Sequence, residues 1–273
     1  MTAVSSPSLH ATHRVGPRGA WSGRITLALV SVVGLAAFGW PLIAHPHGAN
    51  QDLAHAGDAP WVMAAVLPLL LVAVLGEVGA GRMDAKGVAL LGVLAACGSA
   101  LRLPGGGAAG IEPVFFLLFP AGRVLGRRFG FLLGAITLFS SALVTGGVGP
   151  WLPFQMLAAA WLGYGAGCLP RCSPGRERVL LAAYAVVASL VYGLLLDLWF
   201  WPFGAGATTT LSFVPGDPIG RNLVRFWGFH LATALGFDIP RAVINAMLVL
   251  GAGAPVLAAL RRASRRAAFG PPQ

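Results

Sequence analysis

The chain has 273 residues, of which 56% are hydrophobic and 10% charged, with a mean hydropathy of +0.76. A soluble domain carries about 25% charged residues, so this composition cannot cover a folded chain in water, and a soluble enzyme is excluded. The net charge of +10 then calls for an account other than nucleic-acid binding, and the placement of the arginines supplies one.

Taken in chain order, eight apolar segments are long enough to read as membrane spans: Ile25–Ala44, Trp61–Ala80, Gly87–Leu101, Pro113–Leu125, Phe129–Thr145, Pro153–Leu169, Val179–Trp199 and Pro240–Leu260. About 20 apolar residues in a helix cross the hydrocarbon core. The spans must be helical, because each segment has to satisfy its own backbone polar groups. The fourth segment is short and holds Pro120, which predicts a kink. The long connection Trp201–Ile239 should contain a short helix near Arg221–Leu235. The fold class is thus an all-α polytopic membrane protein. Residues 1–24 are a basic tail, 25–86 carry two N-terminal helices, 87–260 form a six-helix core, and 261–273 are a second basic tail.

With the N-terminus in the cytoplasm, the inside segments collect Arg14, Arg18, Arg24, Arg82, Lys86, Arg123, Arg127, Arg128, the arginines of 171–178 and those of 261–266. Only Arg102, Arg221, Arg225 and Arg241 fall outside. Lysine and arginine favour cytoplasmic loops, so the charge reads as topology: a multi-pass plasma-membrane protein with both termini cytoplasmic, in contact with the lipid bilayer and with no nucleic-acid partner.

Polar residues inside spans are costly, and each needs a partner or a ligand. Gln155, Asp197, Arg241 and Asn245 are such residues, all toward the predicted outer side. Asp197 can be explained by pairing with Arg241 or Arg225, or by ligand contact. Three prolines on that side, Pro113 after Glu112, Pro153 and Pro240, suit helix first turns, where unpaired N–H groups attract ligand oxygens. Trp151, Phe154, Trp161, Trp199, Phe200, Trp201 and Phe203 supply aromatic surface around the same region. The candidate substrate-binding set is Glu112, Trp151, Phe154, Gln155, Asp197, Trp201, Arg225, Arg241 and Asn245. Cys97, Cys168 and Cys172 lack the companions of a zinc site and read as small packing residues. His45, His47, Asp52 and His55 are too loosely spaced to specify a metal. The chain's one lysine, Lys86, belongs to no G-x-x-x-x-G-K-[ST] pattern. No catalytic residue, metal ligand or cofactor is expected, and the chain reads as a non-enzyme.

The stretches "ALLGVLAACGSALRLPGGG", "EPVFFLLFPAGRVLGRRFGFLLGAITLFSSAL" and "GGVGPWLPFQMLAAAWLGYGAGCLP" resemble the substrate-binding S components of energy-coupling factor (ECF) vitamin transporters. The resemblance spans Gly87 to Leu260. It implies a six-helix bundle that captures a vitamin from outside, with a corrinoid as first choice and riboflavin-like or thiamin-like ligands open. It also implies partners: a membrane T component and two cytoplasmic ATPases. Under the same resemblance, Gly92, Ala96 and Ala100 would form the docking face for the T component and Leu103–Ile111 a mobile gate. The two N-terminal helices have no counterpart in that family. The alternative is an unrelated membrane enzyme or a stand-alone permease.

Overall fold

The computed structural model describes residues 17–43, 59–79, 83, 85–103, 110–204 and 209–267. Among these residues every regular element is a helix. They are α1 (Pro17–Ile43), α2 (Ala59–Gly79), α3 (Ala85–Arg102), α4 (Leu118–Leu125), α5 (Arg127–Thr145), α6 (Leu152–Ala166), α7 (Pro174–Gly204), α8 (Ile219–Thr233) and α9 (Leu235–Ala267). A single 3-10 turn at Pro113–Phe115 leads into α4. Among the described residues, four helices are long and apolar enough to cross a membrane: Ala85–Arg102, Arg127–Thr145, Pro174–Pro202 and Leu235–Arg265. The protein is an all-α membrane protein, and α1, α2 and α4 contribute shorter apolar stretches.

The packing centre is the α5–α6 pair, and its closeness is written in glycine. A Cβ on Gly130 would collide with the Gly163 carbonyl, and one on Gly134 with the Ala159 carbonyl. Without side chains at these positions the two backbones touch, which is how membrane helices gain dispersion contact where no hydrophobic drive exists between them. Around this pair, α3 packs on α5 through Leu91, Leu94, Ala95, Gly98 and Ser99. Helix α9 lies along α7 and reaches α4. The N-terminal pair docks on α6 and α7 instead. Leu27, Val30 and Phe38 of α1 and Val66, Leu70 and Val74 of α2 are their buried residues, each set at helical spacing.

Two local expectations change. Pro120 does not kink a long fourth helix. It sits in the first turn of α4, where its missing N–H leaves no bond unmade, and the irregularity falls earlier, at 116–117. Pro240 does not start the last helix, because α9 begins at Leu235 and carries both Pro240 and Pro255 inside it. The basic C-terminal segment is helical as far as Ala267. The short helix expected near Arg221–Leu235 is α8, and beside it Trp201, Phe213 and Phe226 form a small separate core.

The bundle has two chemically distinct ends. One holds the α3 C-terminus, the α5–α6 turn and α8. The other holds the α4–α5 and α6–α7 junctions and the α9 C-terminus. Arg241 and Arg261 mark these ends on α9. Roughly 20 residues at about 1.5 Å rise separate them by about 30 Å, the thickness of a hydrocarbon core.

Candidate functional site

At the first end, a buried charged cluster joins the start of the 3-10 turn to α9. Arg241 Nε donates to Glu112 Oε2 at 2.5 Å, and its NH1 group donates to Asp238 Oδ1 at 2.5 Å. The Asp238–Arg241 pair comes from helical i, i+3 spacing. Asn245, one turn further, donates from Nδ2 to both the Glu112 and the Arg241 carbonyls at 2.9 Å. Glu112 is thereby held through its side chain and its backbone. The Arg241 guanidinium lies 5.2 Å from the Tyr192 ring centroid, close enough for a cation–π contact, and Tyr192 packs on Phe115 at 4.5 Å. Close approach at this point depends on Gly193, since a Cβ there would overlap the Asp238 carboxylate.

Three polar atoms of this cluster are buried without a hydrogen-bond partner: Asp238 Oδ2, Asn245 Oδ1 and the Tyr192 hydroxyl. Such atoms are rare in folded proteins, and each carries the full cost of its lost hydration. Beside them a cleft of about 350 Å³ opens between α7, α8 and α9. Its polar lining is Asp197, Thr233, Asp238 and Arg241, and its aromatic walls are Phe200, Phe229 and Phe237. Asp197 Oδ2 is paired with His230 Nδ1 at 2.8 Å. The expected pairing of Asp197 with Arg241 or Arg225 does not occur: Arg241 is taken by Glu112 and Asp238, and Arg225 by Asp217 at 2.7 Å. The reason is reach: α8 folds back against α7 and presents His230 of its last turn to Asp197.

The sequence-chosen residues therefore divide into groups. Glu112, Arg241 and Asn245 form one network, and Asp197 shares the adjoining cleft with Arg241. Arg225 belongs to the α8 surface, bonded to Asn222 as well as Asp217. Trp201 is wholly buried in the small core under the 209–214 segment and donates to the Leu211 carbonyl at 2.7 Å. Phe154 is fully buried and meets Phe38 edge-on at 4.9 Å and Trp199 at 5.4 Å. Trp151 is 40% exposed and folds back on its own turn, donating to the Gly147 carbonyl at 3.1 Å. These residues are not among those lining the cleft. Gln155 is partly buried, and its Oε1 is a further buried atom without a partner. Tyr192, Gly193 and Asp238 join this cluster although they are not among the residues chosen from the sequence. The i, i+3 pairing of Asp238 with Arg241 was a readable signal for one of them; nothing local marked the other two.

Two flanking features bear on the same end. Ser99, Thr137 and Ser140 hydrogen-bond across the α3–α5 contact, and Arg102 donates to Ser141 at 3.0 Å. The gate expected at Leu103–Ile111 lies largely outside the described residues, as does the histidine-bearing stretch 45–55. Its far end is described: Gly110, at φ +73, passes so close to the Phe237 carbonyl that a Cβ would not fit. Gly92, Ala96 and Ala100 form an exposed row on α3, with open space over Gly92. Cys97, Cys168 and Cys172 are exposed, which corrects the expectation that they pack inside. The helix interfaces are filled by glycine, alanine and larger apolar residues instead.

At the opposite end stands a second buried glutamate. Glu177 Oε1 accepts from Arg123 at 2.8 Å and Oε2 from Arg261 at 2.5 Å. Arg123 also donates to the Leu169 carbonyl at 2.6 Å. This brace ties α4, α7 and α9 together with both carboxylate oxygens used.

Compared with family models, with curated proteins and with solved structures, the chain finds no match in any of the three.

Proposed function

We propose that the protein is the membrane-embedded substrate-capture subunit of an ECF-type vitamin importer. The reading rests on the sequence resemblance over Gly87–Leu260, and one structural observation supports it most. A buried Glu112–Arg241–Asp238–Asn245 network adjoins an aromatic-walled cleft and retains polar atoms with no partner in the chain. A network assembled for stability alone would be expected to satisfy its own members. Spare, desolvated acceptors beside an apolar-walled cleft are what a small-molecule site requires.

The cleft's chemistry narrows the ligand. Asp197 and Asp238 outnumber the one arginine, and three phenylalanines wall the space. That combination suits a compact aromatic heterocycle bearing N–H donors or a cationic nitrogen. Its volume of about 350 Å³ lies at the low end of the range of about 300–1,000 Å³ that takes drug-sized ligands. A thiamin-like ligand is favoured over a corrinoid on both grounds.

The arginine distribution supports the orientation: the Glu177 end faces the cytoplasm, the cleft opens outward, and eight spans place both termini inside the plasma membrane. Cysteines introduced at Val148 and Ser173 should label from opposite sides, and labelling from one side rejects this topology. The exposed row Gly92, Ala96, Ala100 on α3 is the face on which a T component would pack closely, with ATP hydrolysis left to two cytoplasmic ATPases.

Thermal denaturation of the purified protein against thiamin, riboflavin and cobalamin tests the proposal. A ligand present at about 100 times its Kd stabilises by about 2.7 kcal/mol. A rise in the midpoint with one vitamin, lost in Asp238→Asn, is expected. No rise with any of them, or uptake into liposomes holding this chain alone, would overturn the reading in favour of a different binder or a permease.

A further inference from the structure

A cleft of about 650 Å³ lies elsewhere, between α1, α5 and α6. Its floor and walls are apolar along most of its length. Ala28, Ser31 and Leu35 of α1 face it at helical spacing, opposite Phe131 and Trp161. At one end the chemistry changes. Arg127 and Arg128, the first two residues of α5, line the cleft there with Tyr164. The Arg127 guanidinium sits 5.9 Å from the Tyr164 ring centroid, which holds it over the cleft without neutralising it. The α5 N-terminus has no side-chain cap, so its positive dipole end lies next to both arginines in the chain. The wall on the α1 side is fixed by a hydrogen bond from Trp161 Nε1 to Ser31 Oγ at 3.0 Å.

An apolar channel that ends in two arginines and a helix N-terminus at the basic end of a membrane bundle has the polarity of a phospholipid. We propose that this cleft binds one anionic phospholipid, its phosphate held by Arg127, Arg128 and the α5 N-terminus and an acyl chain lying along Ala28, Ser31, Leu35 and Trp161. Charge complementarity selects the anionic class, because a zwitterionic headgroup brings its own cation close to the Arg127 guanidinium, whose only neighbour of note among the described residues is the Tyr164 ring. The site also gives the N-terminal pair a role: α1 supplies one wall, and without it Phe131 and Trp161 would lie on an open face of the α5–α6 pair. The inference is independent of the vitamin-capture reading, since it concerns a different cleft at the other end of the bundle.

The test is native mass spectrometry of the full chain, delipidated in detergent and titrated with phosphatidylglycerol or phosphatidylcholine of equal chain length. Wild type should retain one phosphatidylglycerol and bind it about tenfold or more tightly than phosphatidylcholine, as expected for two arginines at a membrane surface. Arg127→Gln/Arg128→Gln should lose that preference. Ala28→Trp, which fills the channel and leaves both arginines in place, should lose retention of either lipid. Glycerol phosphate at millimolar concentration should not displace the lipid, because it lacks the chain. Equal affinity of wild type for the two lipids overturns the proposal. So does retention unchanged in Ala28→Trp, and displacement by glycerol phosphate would reduce the site to a free-phosphate site. The comparison within wild type stands even if a variant fails to fold.

Discussion

Two buried glutamates sit at opposite ends of this bundle, and arginine holds each of them. Glu177 spends both oxygens, one on Arg123 and one on Arg261. Glu112 spends one on Arg241, which also takes Asp238. The Glu177 brace leaves no buried carboxylate oxygen unpaired, whereas its counterpart leaves Asp238 Oδ2, Asn245 Oδ1 and the Tyr192 hydroxyl without partners. The difference separates a self-satisfied strut from a cluster that keeps hydrogen-bonding capacity to spare. Both are charged and buried, so burial does not distinguish them. What distinguishes them is whether the hydrogen-bonding capacity is used up within the chain.

The largest effect should come from breaking the strut. Glu177→Ala leaves Arg123, 8% exposed, without its anion, and removing one partner of a buried pair costs about 3–5 kcal/mol. The half-exposed Arg261 can turn to water, so the lower figure applies. Thermal denaturation in detergent should show a clear fall in midpoint, with the ligand affinity proposed for the cleft at the Arg241 end unchanged at temperatures where the chain is folded. A fall in affinity with an unchanged midpoint would reverse the assignment of the two ends.

A smaller and opposite pattern is expected from Asp238→Asn. The amide can keep an oxygen toward Arg241 while replacing the unpartnered carboxylate oxygen by a donor. A hydrogen bond to a charged group contributes about 1.5–3 kcal/mol, so ligand affinity should drop roughly tenfold to a hundredfold. The unliganded midpoint should fall by less than in Glu177→Ala. Isothermal titration with the vitamin identified by the thermal screen measures it, and wild-type affinity in this variant would show that Asp238 does not meet the ligand.

The smallest effect belongs to Trp151→Phe. The indole contacts its own turn and is substantially exposed, so stability should change by no more than about 0.5 kcal/mol and ligand affinity not at all. A tenfold loss of affinity would restore Trp151 to the site and extend the cleft toward the α5–α6 turn.

These three outcomes also mark how far the sequence could be read. Glu112, Arg241 and Asn245 were legible because a polar residue in an apolar helix announces its own cost, and helical spacing then says which neighbours share its face. The same signal selected Arg225, Trp151 and Trp201, which do not line this cleft, because a loop aromatic or a surface arginine carries no mark of the partner it folds onto. Asp217, the Gly147 carbonyl and the Leu211 carbonyl are those partners, and each depends on a turn or loop path that periodicity does not encode. Tyr192 and Gly193 were invisible for the opposite reason: they lie in the middle of an unbroken apolar run, where nothing local distinguishes a site residue from a lipid-facing one.

By itself the sequence determined that this is an all-helical chain for a bilayer, where the apolar segments lie, and which end of the bundle is basic. Those properties follow from hydropathy, length and charge, which act locally and add along the chain. Only the tertiary structure decided that Asp197 would meet His230, that Glu177 would be doubly braced, and that α1 would close a cleft against α5 and α6. Each of these depends on which helix faces which, and in lipid that choice is set by close packing at glycines such as Gly130 and Gly163 rather than by a drive to hide apolar surface.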